Sequence, residues 1–203
     1  MKWIAGADPG KKGAIVLLNA EATVGNFKKE DVICFPTKVD DSGRIDTVKI
    51  YDNLKPYLKN IVLYIQEDIH SIFGASACSN FNFGDSNGSL RAAVQVALRS
   101  AGNKNCKFAL VQPKVWQKHA WKKDEIIAEP YIDKATGKPK LLSSGKVKMN
   151  TDTKQTSMNA AHRLFPETTF VMPRCKKEHD GCVDAALIAL YGHNMISGDL
   201  NRD

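Results

Sequence analysis

Four acidic residues lie where the sequence predicts that structural elements begin or end. Asp8 closes the first apolar run of the chain, and Glu67 follows another apolar run after one intervening residue. Asp180 and Asp184 lie four positions apart at the start of the last apolar segment, so they project from one face of a helix. Carboxylates that share a pocket need a counter-charge, and a divalent cation is the natural one.

The chemistry that such a group supports is metal-assisted hydrolysis of a phosphodiester. Mg²⁺ prefers carboxylate oxygens and keeps several waters that can reach a phosphate. Two such ions about 4 Å apart can activate a water and stabilise the leaving oxygen.

Each acid also has an ordinary structural explanation. Asp8 precedes a Pro-Gly pair and is typical of a turn, and Glu67 is compatible with the start of an exposed loop. Asp180 is a favoured residue type for capping a helix, and Asp184 has lysines nearby with which it can pair. Asp184 is the hardest to explain in this way, because it lies inside an otherwise apolar helix.

The elements that must position these acids follow from hydrophobic periodicity. Strands are predicted at 3–8, 13–18, 31–35, 61–65 and 107–111, and helices at 46–58, 89–101, 153–164 and 180–192. Residues 74–88 are predicted as a loop or a helix start, and Pro113 is expected to break the pattern. The order indicates one mixed α/β domain over residues 1–203. Residues 122–150 are turn-rich and basic, which predicts an inserted arm or hairpin, partly disordered without its partner.

The charge distribution favours a nucleic-acid partner. The net charge is +7, and from Lys114 to Lys154 ten lysines face five acidic residues. The candidate DNA contacts are Lys11, Lys12, Arg91, Lys114, Lys118, Lys122, Lys123, Lys154, Arg174, Lys176 and Lys177. Trp116 and Trp121 alternate with lysines, so they either stack on unpaired bases or pack beneath the insertion.

Other features exclude or weaken competing classes. No apolar run approaches the roughly 20 residues of a membrane helix, and the N-terminus does not resemble a signal peptide. Five scattered cysteines favour reduced thiols and a cytoplasmic location. Cys175, His179 and Cys182 have zinc-ligand spacing but lack an obvious fourth ligand.

Three motifs, in order, are similar to those of the RuvC family of Holliday-junction resolvases in the RNase H-like superfamily, in a form closer to bacteriophage members. They read IAGADPGKKGAIVL, IVLYIQE and HDGCVDAALIALYG. The resemblance implies a mixed five-stranded sheet flanked by helices. It also implies a homodimer that resolves four-way DNA junctions with Mg²⁺ or Mn²⁺, leaving 5′-phosphate and 3′-hydroxyl ends.

The resemblance also assigns roles to individual residues. The implied metal ligands are Asp8, Glu67, Asp180 and Asp184. Phe73 corresponds to an aromatic residue near the branch point, although core packing explains it equally well. Lys154 corresponds to a basic residue near the scissile phosphate, or is simply a solvated surface charge.

Two features depart from the bacterial pattern. Bacterial members place two residues between the last two acids, whereas three intervene here, so either Asp180 or the neighbouring His179 completes the implied metal site. The basic insertion is not a bacterial feature. The helix at 89–101 is the candidate dimer interface.

Two other functions are compatible with parts of the sequence. A non-catalytic DNA-binding protein needs the basic residues but not the acids. An actin-like or sugar-kinase-type phosphotransferase also opens with a strand, an Asp and a Gly turn, but it needs roughly twice this length. The segment GADPGKKG does not fit a Walker phosphate-binding loop, so no nucleotide cofactor is expected.

Overall fold

A mixed five-stranded sheet forms the centre of the protein. The computed structural model describes residues 1–71, 74–133 and 135–198. The strands are β1 (Trp3–Asp8), β2 (Ala14–Asn19), β3 (Val32–Pro36), β4 (Ile61–Glu67) and β5 (Lys107–Val111), in the spatial order β3-β2-β1-β4-β5. β1 pairs antiparallel with β2, which pairs antiparallel with β3, whereas β1, β4 and β5 run parallel. The predicted α/β class with a five-stranded mixed sheet is confirmed, and the strand order is consistent with an RNase H-like layout.

Helices cover both faces of this sheet. They are α1 (Thr47–Leu54), α2 (Ala77–Ser100), α3 (Pro113–Ala120), α4 (Thr153–Leu164) and α5 (Asp180–Ser197), with 3₁₀ turns at Lys29–Asp31, Leu58–Asn60 and Lys123–Glu125. One core joins the sheet to α3, α4 and α5, and a second joins it to α1 and α2. Ile4 faces the first core and Ala5 the second, as the alternation of side chains along a strand requires. Burial on both faces explains why β1, β2 and β4 read as nearly continuous apolar runs.

Helix α2 begins twelve residues earlier than the predicted start at Ser89. Its first half is largely exposed and therefore lacks the apolar periodicity that identifies a helix. The Ser76 side chain accepts a hydrogen bond from the Ser79 backbone N–H and caps the helix.

Helix α5 continues past Gly192, where it was predicted to end. Gly192 lies inside the helix and allows it to pack closely on β4. A Cβ at this position would sit 2.9 Å from the Ile65 side chain and 3.0 Å from that of Leu63. The helix ends instead at Gly198, which adopts a left-handed φ of 78°.

Helix α3 replaces the break that was expected at Pro113. Pro113 occupies the first turn of the helix, where the missing N–H of proline costs nothing.

The basic insertion contains a separate two-stranded sheet formed by β6 (Ala128–Pro130) and β7 (Met149–Thr151). Residues 128–151 are called the arm below. Across the described ranges, no helix has the length and apolar character needed to span a membrane.

Candidate active site

The first two acids reach the same edge of the sheet. Asp8 ends β1 and Glu67 ends β4, which are parallel neighbours with Ala7 paired to Gln66. The carboxyl ends of parallel strands lie together, so Asp8 and Glu67 form the next aligned pair. Asp8 lies on the same side of β1 as Ile4, and Glu67 on the same side of β4 as Leu63. Both acids therefore point to the face of the sheet that α5 covers.

Two glycines allow α5 to lie directly on this edge. A Cβ on Gly6 would lie 2.3 Å from the Ala185 carbonyl oxygen, and one on Gly181 would lie 2.4 Å from the Lys12 carbonyl oxygen. Side chains at these positions would push the helix away from β1 and from the turn that follows it. The close approach brings the first two turns of α5, with their two acids, to the end of β1.

His179, and not Asp180, caps α5. The Cys182 backbone N–H donates a hydrogen bond of 3.2 Å to Nδ1 of His179. Burial lowers the pKa of His179, which favours the neutral ring whose Nδ1 accepts this hydrogen bond. Asp180 is the first residue of the helix, where its charge is favourable at the positive end of the helix dipole.

An open cleft of about 780 Å³ lies between the turn after β1, the first half of α2 and the start of α5. Three of the predicted acids, Asp8, Asp180 and Asp184, line this acidic cleft. Four lysines also line it, namely Lys11, Lys12, Lys154 and Lys177. A pocket that combines buried carboxylates with a basic rim suits an anionic ligand that is to be brought to a bound cation.

The two acids deepest in this arrangement resist ionisation. Burial and the carboxylates of Asp184, Glu67 and Asp180 raise the pKa of Asp8 to about 8. Burial and the charges of Glu67 and Asp180 likewise raise the pKa of Asp184 to about 7, although the Ser157 hydroxyl lowers it in part. Oδ1 of Asp184 is buried and has no hydrogen-bond partner among the described residues. A buried carboxylate oxygen without a partner is one that a cation would stabilise.

Lys154 neutralises the outermost acid. Its Nζ forms an ion pair with Asp180, and this hydrogen bond raises the pKa of Lys154. Both side chains are largely exposed at the mouth of the acidic cleft, so solvent weakens the pair. The ion pair with Lys154 therefore constrains the Asp180 side chain only weakly.

Trp116 holds the remaining acid. Its Nε1–H donates a hydrogen bond of 2.9 Å to Oε1 of Glu67, and its side chain is 1% exposed. Burial raises the pKa of Glu67, and this hydrogen bond lowers it. Trp116 is thus buried and cannot stack on bases. Trp121 packs against it edge to face, with ring centroids 6.2 Å apart.

The acids are neighbours, but they are not assembled around a common point. Within the described ranges, no three His, Cys, Asp or Glu side chains are placed to hold a metal ion. This applies also to Cys175, His179 and Cys182, the zinc candidates, of which Cys182 is buried and Cys175 exposed. Glu67 is not among the residues that line the acidic cleft.

The other predicted DNA contacts are scattered over the surface. Lys114, Lys118, Lys122, Lys123, Arg174 and Lys176 are exposed but do not line the acidic cleft. Arg91 lies in a different groove with Tyr64 and Phe108. Phe73 lies outside the described residues.

Several residues of the site were missed from the sequence. Ser79, Asn82, Phe83 and Ser86 on α2 line the acidic cleft, and Ser157 on α4 influences Asp184. The run SNFNFGDSNG, polar and aromatic without apolar periodicity, was the available signal that this stretch faces a cleft.

Comparison of the chain with protein-family models and with curated proteins found no match. The arrangement of the site and the resemblance of its three motifs are therefore the basis for a functional proposal.

Proposed function

We propose that the protein is a metal-dependent endonuclease that cuts phosphodiester bonds in branched DNA and resolves four-way junctions by paired symmetric nicks. The observation that carries the proposal is the convergence of Asp8, Asp180 and Asp184 on one cleft with a lysine rim. Asp8 on β1 and the two acids of α5 come from opposite ends of the sequence, so an ordinary explanation for each does not account for their meeting.

The lysine rim supplies the attraction that the acids alone cannot. A pocket of carboxylates repels a phosphate, whereas Lys11, Lys12 and Lys177 on the walls of the acidic cleft draw it in. Lys11 and Lys12 lie in the turn directly after Asp8, so a phosphate near this acid meets them.

The donor set fits Mg²⁺ or Mn²⁺, both of which favour oxygen ligands. Asp8 and Asp184 would hold the cation, with Asp180 as a further carboxylate ligand; Glu67, whose charge raises the pKa of both although it does not line the acidic cleft, would complete the set. The unpartnered Oδ1 of Asp184 is the observation that supports this fit. The bound cations would supply an activated water and charge stabilisation for the leaving oxygen.

The protein's own side chains balance charge and position the carboxylates. Lys154 counters the charge of Asp180 and lies where it can hold a phosphate oxygen. Trp116 keeps Glu67 oriented from inside the core. The raised pKa values of Asp8 and Asp184 mean that cation binding displaces protons from these two groups.

A homodimer is part of the proposal, because two symmetric nicks require two active sites related by a two-fold axis. The predicted interface, 89–101, lies in the second half of α2. Val96 within it, and Phe108 and Leu110 on the neighbouring strand β5, are exposed apolar side chains, at 68%, 41% and 47%. Light scattering on the protein with bound DNA tests this, and a monomer would contradict it.

The experiment that tests the proposed function uses a labelled four-way junction with Mg²⁺, alongside a flap and a linear duplex of the same sequence. We expect paired nicks at symmetric positions in the junction, and none with EDTA or in the Asp8→Asn variant. Binding without cutting would favour a non-catalytic DNA-binding protein. ATP turnover would favour a phosphotransferase.

A further inference from the structure

The arm is built from a stem and two hairpins. The stem pairs Ala128–Pro130 with Met149–Thr151, and two isolated bridges, Ile132 to Pro139 and Leu141 to Val147, mark the hairpins. At the branch, the backbones of Tyr131, Lys140 and Lys148 are linked by three hydrogen bonds of 2.8–2.9 Å. The arm therefore has a defined register although it has no core of its own.

This register places the four described lysines of the arm on one face. Residues on either side of a bridged pair point to the opposite face from that pair. Lys140, Lys146 and Lys148 flank the Leu141–Val147 bridge, and Lys138 flanks the Ile132–Pro139 bridge. These four lysines share one face with Tyr131, Asp133 and Leu142, and Ile132, Leu141 and Val147 occupy the other.

Lysines outnumber carboxylates on this face, where the same register places Glu129 and Asp133 among the described acidic residues. Lys140 and Lys148 lie directly opposite each other, a pairing of like charges that destabilises a hairpin. Within the described residues, none of the four lysines forms a salt bridge. Backbone hydrogen bonds from Ala135 and Thr136, together with the charge of Lys140, lower the pKa of Asp133, and Nζ of Lys148 lies 4.5 Å from the centre of the Tyr131 ring. An anionic partner would relieve this repulsion.

The base of the arm is fixed to the helix that carries Lys154. The Ile127 N–H donates to Oγ1 of Thr156 on α4 at 3.1 Å, and the Asp152 N–H donates to the Ile127 carbonyl at 2.8 Å. Asp152 in turn caps α4. The stem thus ends three residues before Lys154, at the mouth of the acidic cleft.

We propose that the lysine face of the arm is a second DNA-binding surface, which grips the phosphate backbone of a duplex next to the acidic cleft. The proposal rests on the proposed function for the identity of the polyanion. Regularly spaced, unpaired lysines on an exposed hairpin suit a phosphate backbone, and charge complementarity favours DNA over an apolar protein surface.

The test replaces four arm lysines at once, Lys138→Gln, Lys140→Gln, Lys146→Gln and Lys148→Gln. The control replaces four exposed lysines elsewhere, Lys49→Gln, Lys55→Gln, Lys59→Gln and Lys104→Gln, so that both variants lose the same charge. Affinity for the four-way junction is measured by fluorescence anisotropy at several salt concentrations without divalent cations. We expect the arm variant to bind about tenfold or more weakly and to lose about 0.9 of salt slope per phosphate contact, with little change in the control.

Equal affinities of the arm variant and the control would overturn the proposal, as would failure of the wild-type protein to bind DNA at low salt. A second variant, Leu141→Ser with Val147→Ser, examines the apolar face. If that variant dissociates a dimer and the lysine variant binds normally, the arm is a protein interface. Because no divalent cation is present, the result is independent of cleavage, so a protein that binds through the arm but never cuts would contradict only the proposed nuclease activity.

Discussion

The acidic cleft and the arm both carry dense charge, but the fold treats the two regions in opposite ways. In the cleft, strand register and close glycine contacts press Asp8 and Asp184 together into a largely buried site, where their pKa values rise to about 8 and about 7. In the arm, like charges face each other on an exposed hairpin with no core beneath them.

The difference indicates a division of labour. Buried like charges are costly unless a ligand neutralises them, so the cleft is a place for a tightly held cation and for chemistry. Exposed lysines stay hydrated and attract phosphates over a distance. The arm therefore suits sequence-independent binding to the DNA phosphate backbone. If this is correct, variants in the two regions should affect different measurements.

The largest expected effect is loss of cleavage in the Asp8→Asn variant. Removing this carboxylate should reduce the cutting rate by at least about 100-fold, because transition-state charge is then poorly stabilised. Junction affinity without divalent cations should change little near neutral pH, since a carboxyl with a pKa of about 8 carries little charge there. Gel assays of cutting and anisotropy of binding measure the two. Loss of both cutting and binding in a folded Asp8→Asn variant would contradict the separate roles of the acidic cleft and the arm.

A second effect concerns stability in the absence of metal. The pKa of Asp184 is about 7 in the folded protein and near 3.8 when unfolded, so the folded state holds the proton more tightly. This group's contribution to the free energy of unfolding therefore falls as the pH rises from about 4 to about 7. Asp184→Asn should be more stable than wild type by about 2 kcal/mol or more at pH 8, and much less so at pH 5.

Urea denaturation in EDTA at both pH values tests this, with the exposed Asp52→Asn as control. Mg²⁺ should then stabilise wild type more than Asp184→Asn. A pH-independent difference between wild type and Asp184→Asn would show that burial and neighbouring carboxylates do not raise the pKa of Asp184 in the folded protein.

A smaller effect is expected at Trp116, which reaches the site only through Glu67. Trp116→Phe keeps the buried ring but removes the N–H, so the pKa of Glu67 rises further. Cleavage at neutral pH should fall about tenfold, with partial recovery at higher pH. Trp121→Phe is the matched control, because Nε1 of Trp121 is buried without a hydrogen-bond partner among the described residues. Equal pH–rate profiles for the two variants would show that the Trp116 hydrogen bond to Glu67 does not influence cleavage.

The smallest effect is expected from the arm on chemistry itself. At saturating junction concentration, the variant with four arm lysines replaced by Gln should cut within about twofold of the wild-type rate, because the cleft is intact. Single-turnover kinetics measure this. A large fall in the saturated rate would mean that the arm also positions the scissile phosphate.

Short-range patterns were enough to predict much of the site. The apolar runs before Asp8 and Glu67 placed both acids at strand ends, and the spacing of four between Asp180 and Asp184 placed them on one helix face. Local periodicity carries this information because both faces of the sheet and one face of the helix are buried.

What the sequence did not reveal depends on contacts between distant segments. The indole of Trp116 meets Glu67 across 49 positions, and Lys154 meets Asp180 across 26. No local pattern encodes such pairs. The start of α2 was missed for the opposite reason, since its exposed first half carries no apolar stripe.

The most direct test of the central claim is crystallographic. Crystals of the protein are soaked in Mn²⁺, and an anomalous difference map locates the ion. The account predicts a peak in the acidic cleft within coordination distance, about 2.0–2.3 Å, of carboxylate oxygens of Asp8 and Asp184. A cleft without a peak at saturating Mn²⁺, or a peak only at Cys175, His179 and Cys182, would contradict it.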